Sequence, residues 1–96
     1  MWARWVNMDT MDERGNTLFM IACQQGSKQI AKFLLRRGAN INAQNIQGNT
    51  ALHFCYTFGH IALAQYLTSK GADERILNVF DMTCYEGTEP GRMADL

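Results

Sequence analysis

Two histidines, His53 and His60, and three cysteines, Cys23, Cys55 and Cys84, are the side chains of this sequence suited to holding a metal ion or forming a covalent intermediate. A metal site needs several such groups converging on one point. On a helix His53 and Cys55 are two positions apart and diverge by about 200°, so they cannot chelate one ion together. The cysteines are spread almost evenly and odd in number. They spell neither a disulfide framework nor a CxxC motif, and they read as reduced thiols in a core. A cysteine nucleophile would need an adjacent base oriented by a third group, and no such trio is written. Glycines occur singly, not in the GxxxxGK or GxGxxG loops that cradle phosphates. The reactive residue types therefore predict no catalytic residue, no metal ligand and no cofactor.

Composition narrows the remaining classes. Ninety-six residues allow one small domain, and 47% hydrophobic with 19% charged residues describes a packed chain. Nine Lys and Arg balance nine Asp and Glu, which removes the overall attraction that nucleic acid or an anionic bilayer would exploit. No nucleic-acid partner is expected. The longest apolar run, Leu18 to Cys23, is six residues, so no membrane insertion is expected either. The N-terminus, Met1-Trp2-Ala3-Arg4-Trp5, lacks a secretory h-region. An intracellular, cytoplasmic location is the expectation.

The elements that carry these residues come in repeats. A shift of 33 residues aligns Gly15-Asn16-Thr17 with Gly48-Asn49-Thr50, Gly26 with Gly59, Ala31 with Ala64, Leu34 with Leu67, Gly38-Ala39 with Gly71-Ala72, and Asn45 with Asn78. The matches fall on turn residues and on small or apolar positions, as in a solenoid whose units bury their apolar faces on one another. The division is 1–11, an N-terminal cap or the end of a degenerate unit; 12–44 and 45–77, two full units; and 78–96, a partial unit and tail. Thr50 maps on Thr83 and Gly48 on Asp81, so a third copy begins, and Gly87, Pro90 and Gly91 oppose any long helix after it.

Within a unit, Thr17 and Thr50 offer a side-chain oxygen to a helix start. A first helix then runs from about Leu18 to Gln25 and from Ala51 to Phe58, ended by Gly26 and Gly59. The second helix carries a buried stripe of Ile30, Ala31, Phe33 and Leu34, or Leu63, Ala64, Tyr66 and Leu67. Arg36-Arg37 and Lys70 oppose the negative end of that helix, and Gly38 and Gly71 close it. Asn40 to Gln47 and Asp73 to Phe80 link the helix pairs as extended fingers.

Gly48-Asn49-Thr50-Ala51-Leu52-His53, Gly59-His60 and Gly71-Ala72-Asp73 resemble the ankyrin repeat, with its G-x-T-P-L-H, G-H and G-A-D signposts. The resemblance spans residues 12 to about 85, is closest in the second unit, and returns at Gly38-Ala39-Asn40-Ile41-Asn42. It implies an all-α, ankyrin-repeat solenoid of antiparallel helix pairs joined by extended finger loops. It also implies that His53 bonds the Thr50 hydroxyl and a backbone carbonyl of the adjoining finger, and that His60 starts the second helix.

The resemblance further implies a non-catalytic protein-protein interaction module that binds through its finger tips and the concave face of its first helices. Those positions are Glu13, Arg14, Asn16, Gln24 and Gln25; then Ile46, Gln47, Asn49, Thr57 and Phe58; then Val79, Phe80 and Met82. The apolar members Ile46, Phe58, Val79 and Phe80 are the type that anchors interfaces, while Val79 and Phe80 are equally suited to covering an open end. Two full units are few for such an array. Either Trp2 and Trp5 at one end and Cys84 and Tyr85 at the other cover it, or the chain is cut from a longer array, or a second copy supplies the missing neighbours, as a homodimer. A further alternative is an asparagine hydroxylase acting on Asn42, which Leu34 precedes by eight residues, although Asn40 replaces the acidic residue usual in that pattern.

Overall fold

A computed structural model describes residues 10–90. The expectation that Trp2 and Trp5 cap the first helix pair lies outside those residues. Four helices follow in order: α1 (Leu18–Gln24), α2 (Lys28–Arg36), α3 (Ala51–Thr57) and α4 (Ile61–Ser69). Each first helix packs on the second helix of its unit, and α1 packs on α3 across the unit boundary.

The helix starts follow from local chemistry. The Thr17 hydroxyl accepts from the Met20 N–H at 3.2 Å, and the Ser27 hydroxyl accepts from the Ile30 N–H at 3.4 Å. Thr50 forms a capping box with His53. Each cap satisfies donors that a helix start cannot pair internally.

Phe19, Ala22 and Cys23 of α1 meet Leu52 and Cys55 of α3, while Ala31, Leu34, Leu63, Ala64 and Leu67 complete the core from α2 and α4. Helices this short are unstable alone, and burial of these side chains against neighbouring units sustains them. The stripe on α2 is narrower than its pattern predicts. Ala31 and Leu34 are buried, but Ile30 is 43% exposed, because it lies one step, about 100°, from Ala31 around a helix covered on one side.

Three fingers share one construction. Asp12, Asn45 and Asn78, 33 residues apart, each turn a side-chain oxygen back on two backbone N–H groups. Asp12 Oδ1 accepts from Arg14 and Asn16, both at 2.9 Å. Asn45 Oδ1 accepts from Gln47 at 3.0 Å and Asn49 at 2.9 Å. Asn78 Oδ1 accepts from Phe80 at 2.9 Å and Met82 at 3.1 Å. These Asx turns give each tip its shape without a long ladder of backbone bonds.

The fingers are tied to one another. The Ile46 N–H donates to the Arg14 carbonyl at 2.9 Å and the Val79 N–H to the Gln47 carbonyl at 2.8 Å. Gly48, at φ +79°, lies under this contact; a Cβ there would stand 2.9 Å from Asn78 Cα and 2.9 Å from the Val79 nitrogen. Backbone packed this closely admits only glycine. Asp81 takes the same position in the third finger at φ 58°, a conformation aspartate tolerates better than most side chains.

The partial third unit begins like the others and then departs. Glu86 accepts from the Thr83 N–H at 2.8 Å, half of a capping box, but the turn that follows does not lengthen into a helix before Gly87 at φ 117°. Cys84 joins the core, and Tyr85 sets its ring 4.6 Å from that of Tyr56.

Candidate partner-binding surface

The residues assigned from sequence to a partner fall into three groups. Glu13, Arg14, Gln24, Gln25, Ile46, Gln47, Phe58, Val79 and Phe80 are exposed, while Thr57 and Met82 are half-buried. Asn16 and Asn49 are buried and are removed from the partner-facing set. The reason is a polar relay between fingers. Asn45 donates from Nδ2 to Asn16 Oδ1 at 2.8 Å, and Asn78 donates likewise to Asn49 Oδ1 at 2.8 Å. Asn49 and Asn78 also donate to the Thr88 carbonyl, each at 3.2 Å. A buried amide is affordable when its groups are paired in this way.

Thr57 is turned inward as well: its hydroxyl oxygen is buried and has no hydrogen-bond partner among the described residues. Met82 is committed through its backbone. His53 Nε2 is 2.9 Å from the Met82 carbonyl, and because a carbonyl only accepts, Nε2 carries the proton. Nδ1 therefore accepts, from the Thr50 N–H at 3.1 Å and the Thr50 hydroxyl at 2.9 Å. Both ring nitrogens are thus in use. Burial holds the His53 pKa below the ordinary imidazole value, with the Met82 bond acting in the opposite sense. His60 crosses the unit boundary in a similar way, donating from Nε2 to the Gln24 carbonyl at 3.0 Å. Gly26 makes room for it, since a Cβ there would stand 2.6 Å from the His60 ring. Gly38, Gly59 and Gly71 likewise have positive φ.

The thiols are buried. Cys23 is held well above the usual thiol range, first by its hydrogen bond with Cys55 and then by burial. Burial, with the charge of Glu74 nearby, pushes Cys84 up to about 11. Such thiols are poor nucleophiles at neutral pH. Among the described residues no group of three His, Cys, Asp or Glu side chains could hold a metal ion, and no helix is long and apolar enough to cross a membrane.

What remains accessible is a row of finger tips. Ile46 is 70% exposed and Val79 62% exposed, at equivalent places on neighbouring fingers, each pinned by its own backbone bond. Phe80 and Phe58 are also exposed, and Phe58 stacks on Phe54 with ring centroids 6.5 Å apart. Asn42 is half-buried, and its Oδ1 accepts from the Asp73 N–H at 2.8 Å, joining the first unit to the second. Sequence reasoning gave Tyr66 a part in helix packing and Lys70 one at a helix end, and gave Lys28 and Lys32 none. Lys28, Lys32 and Lys70 approach the Tyr66 ring from two units, and a neighbour one period away is visible only once the units are stacked.

Comparison with known proteins agrees with this architecture. The family description "Ankyrin repeats (3 copies)" matches residues 2–78. The mouse protein named ankyrin repeat and SAM domain-containing protein 6 is 42% identical over 40 residues, a stretch covering 42% of this chain and 4% of that protein. The rat protein of the same name aligns to the same extent. This chain therefore spans only a small part of the length of those relatives. Finger, helix pair and 33-residue period together with the family match establish that the chain belongs to the ankyrin repeat family, whose members serve generally as protein-interaction modules.

Proposed function

We propose that this chain is a non-catalytic interaction module that takes a protein partner on its finger tips and the exposed ends of its first helices. The observation that carries this reading is the pair Ile46 and Val79: two aliphatic side chains, exposed and one period apart, on fingers held rigid by backbone hydrogen bonds. Ordered apolar groups of this kind bind at low entropic cost, because little freedom is left to lose. Phe80 and Phe58 extend the apolar area, and Glu13, Arg14, Gln24, Gln25 and Gln47 supply a polar rim. Asn16 and Asn49 support the fingers from within.

The test places a photo-crosslinking amino acid at Val79 or, as control, at Gln29 on α2, in the cell that makes the protein. A discrete crosslinked protein from Val79, absent from Gln29 and lost when Ile46→Asp is added, is the expected result. Equal labelling from both positions would overturn the reading. A product of twice the chain mass would assign the surface to self-association instead.

A further inference from the structure

Although the chain has no net charge, its charges are segregated. None of the four helices contains an acidic residue. The described carboxylates Asp12, Glu13, Asp73, Glu74, Asp81, Glu86 and Glu89 all lie in the fingers and the C-terminal segment. On α2, Lys28, Lys32 and Arg36 recur every fourth residue and so share one face.

That face meets α4 at Tyr66. Lys28 Nζ, Lys32 Nζ and Lys70 Nζ stand 5.0, 5.6 and 5.7 Å from the centre of its ring. By that geometry no two of the ammonium groups are more than about 11 Å apart, comparable with the roughly 8 Å screening length of physiological salt. Their mutual repulsion is therefore only partly screened. The aromatic face offsets some of it, but none of Lys28, Lys32, Arg36 and Lys70 forms an ion pair with a described carboxylate. Beside the ring is an open cleft of about 510 Å³ lined by the apolar Leu35, Ala39 and Ile41, by Tyr66, and by the cations Lys32, Arg36 and Lys70.

We infer that this α2–α4 face is a second binding surface, and that its ligand is an acidic peptide segment of another protein with one aromatic or aliphatic side chain among its carboxylates. The carboxylates meet the cations, and the apolar side chain enters between Leu35, Ile41 and Tyr66. Charge complementarity identifies the sign of the ligand, and the apolar lining distinguishes a peptide from a bare phosphate, which would leave it unused. Four-residue spacing of Lys28, Lys32 and Arg36 lets successive carboxylates along one chain engage successive cations. The carboxylates of the fingers repel the same ligand, so this surface is distinct from the finger tips.

The test is fluorescence anisotropy of the full chain with a fluorescein-labelled peptide bearing four glutamates on either side of one phenylalanine. Saturable binding that weakens with added NaCl is expected, as is weaker binding of the peptide with alanine in place of phenylalanine. The double variant Lys32→Glu and Lys70→Glu should lose about tenfold or more in affinity, and the milder pair Lys32→Gln and Lys70→Gln a smaller amount, with helical circular dichroism unchanged in the milder pair. Ile46→Ser with Val79→Ser should bind the peptide as the unaltered chain does. Absence of saturable binding, or equal affinity in the Lys→Gln pair, would overturn the inference. So would binding of a fluorescein-labelled single-stranded oligonucleotide or of phosphatidylserine vesicles where the peptide does not bind, since the face would then serve another class of polyanion.

Discussion

His53 Nε2 lies 2.9 Å from the Met82 carbonyl oxygen, so the first turn of α3 holds the rear of the third finger, 29 residues further along the chain. The imidazole is neutral, and acid should weaken the structure at its other nitrogen: a proton on Nδ1 displaces the Thr50 N–H that donates there and charges a buried ring, while the Nε2–Met82 bond itself survives. Burial depresses the folded-state pKa below 6.5, so the unfolded chain takes up a proton that the folded chain resists. Stability from this group is complete above about pH 6.5 and declines as the pH falls toward the lower folded-state value. Urea midpoints measured between pH 7.5 and 5.0 should decrease, and His53→Gln should flatten that dependence.

Asn78 is the most heavily committed side chain of the third finger. Asn78→Ala leaves the Phe80 and Met82 N–H groups and Asn49 Oδ1 without their partner, which should cost about 2 to 4 kcal/mol. Asn78→Asp keeps the acceptor for the two N–H groups but buries a second carboxylate oxygen against Asn49 Oδ1 and the Gly87 and Thr88 carbonyls, so urea denaturation at neutral pH should show a loss at least as large as that of alanine.

Gly48 and Gly59 separate two effects of adding a methyl group. Both have φ near +80°, but a Cβ at Gly59 meets nothing within 4 Å while one at Gly48 meets the backbone of the next finger. Gly59→Ala should cost about 1 to 2 kcal/mol from backbone conformation alone, and Gly48→Ala clearly more. Equal losses in thermal or urea unfolding would show that the fingers separate freely.

The three thiols should be silent in the folded chain. With Cys23, Cys55 and Cys84 buried, and with Cys23 and Cys84 raised above the usual thiol range, Ellman's reagent at pH 8 should react slowly until denaturant is added. Fast labelling of Cys23 or Cys55 in the native state would contradict the packing of α1 against α3, and fast labelling of Cys84 its place in the core.

Much of this architecture is legible in the residues. Thr17 and Thr50 mark helix starts because an oxygen just before an apolar stretch has a defined task, and the first helices end within one residue of where Gly26 and Gly59 place them. Asn16 and Asn49 are different. The family resemblance puts both on the binding face, and only the stacking of fingers brings Asn45 and Asn78 over them. Ile30 misleads in the opposite direction, since an apolar residue next to a buried stripe need not belong to it. The cluster on Tyr66 is likewise a product of stacking, because Lys28 and Lys32 belong to one unit and Tyr66 to the next.

The asparagine contacts between fingers have a sense as well as a strength. In each, the later residue gives its NH₂ group and the earlier one receives it at oxygen: Asn45 to Asn16, Asn78 to Asn49. The contacts therefore form a row of arrows pointing toward the N-terminus. The row is finite by its chemistry: Met82 stands in the third finger where Asn16 and Asn49 accept, and Asp12, a carboxylate with no proton to give, stands in the first where Asn45 and Asn78 donate, so no further arrow of this kind can be added at either end.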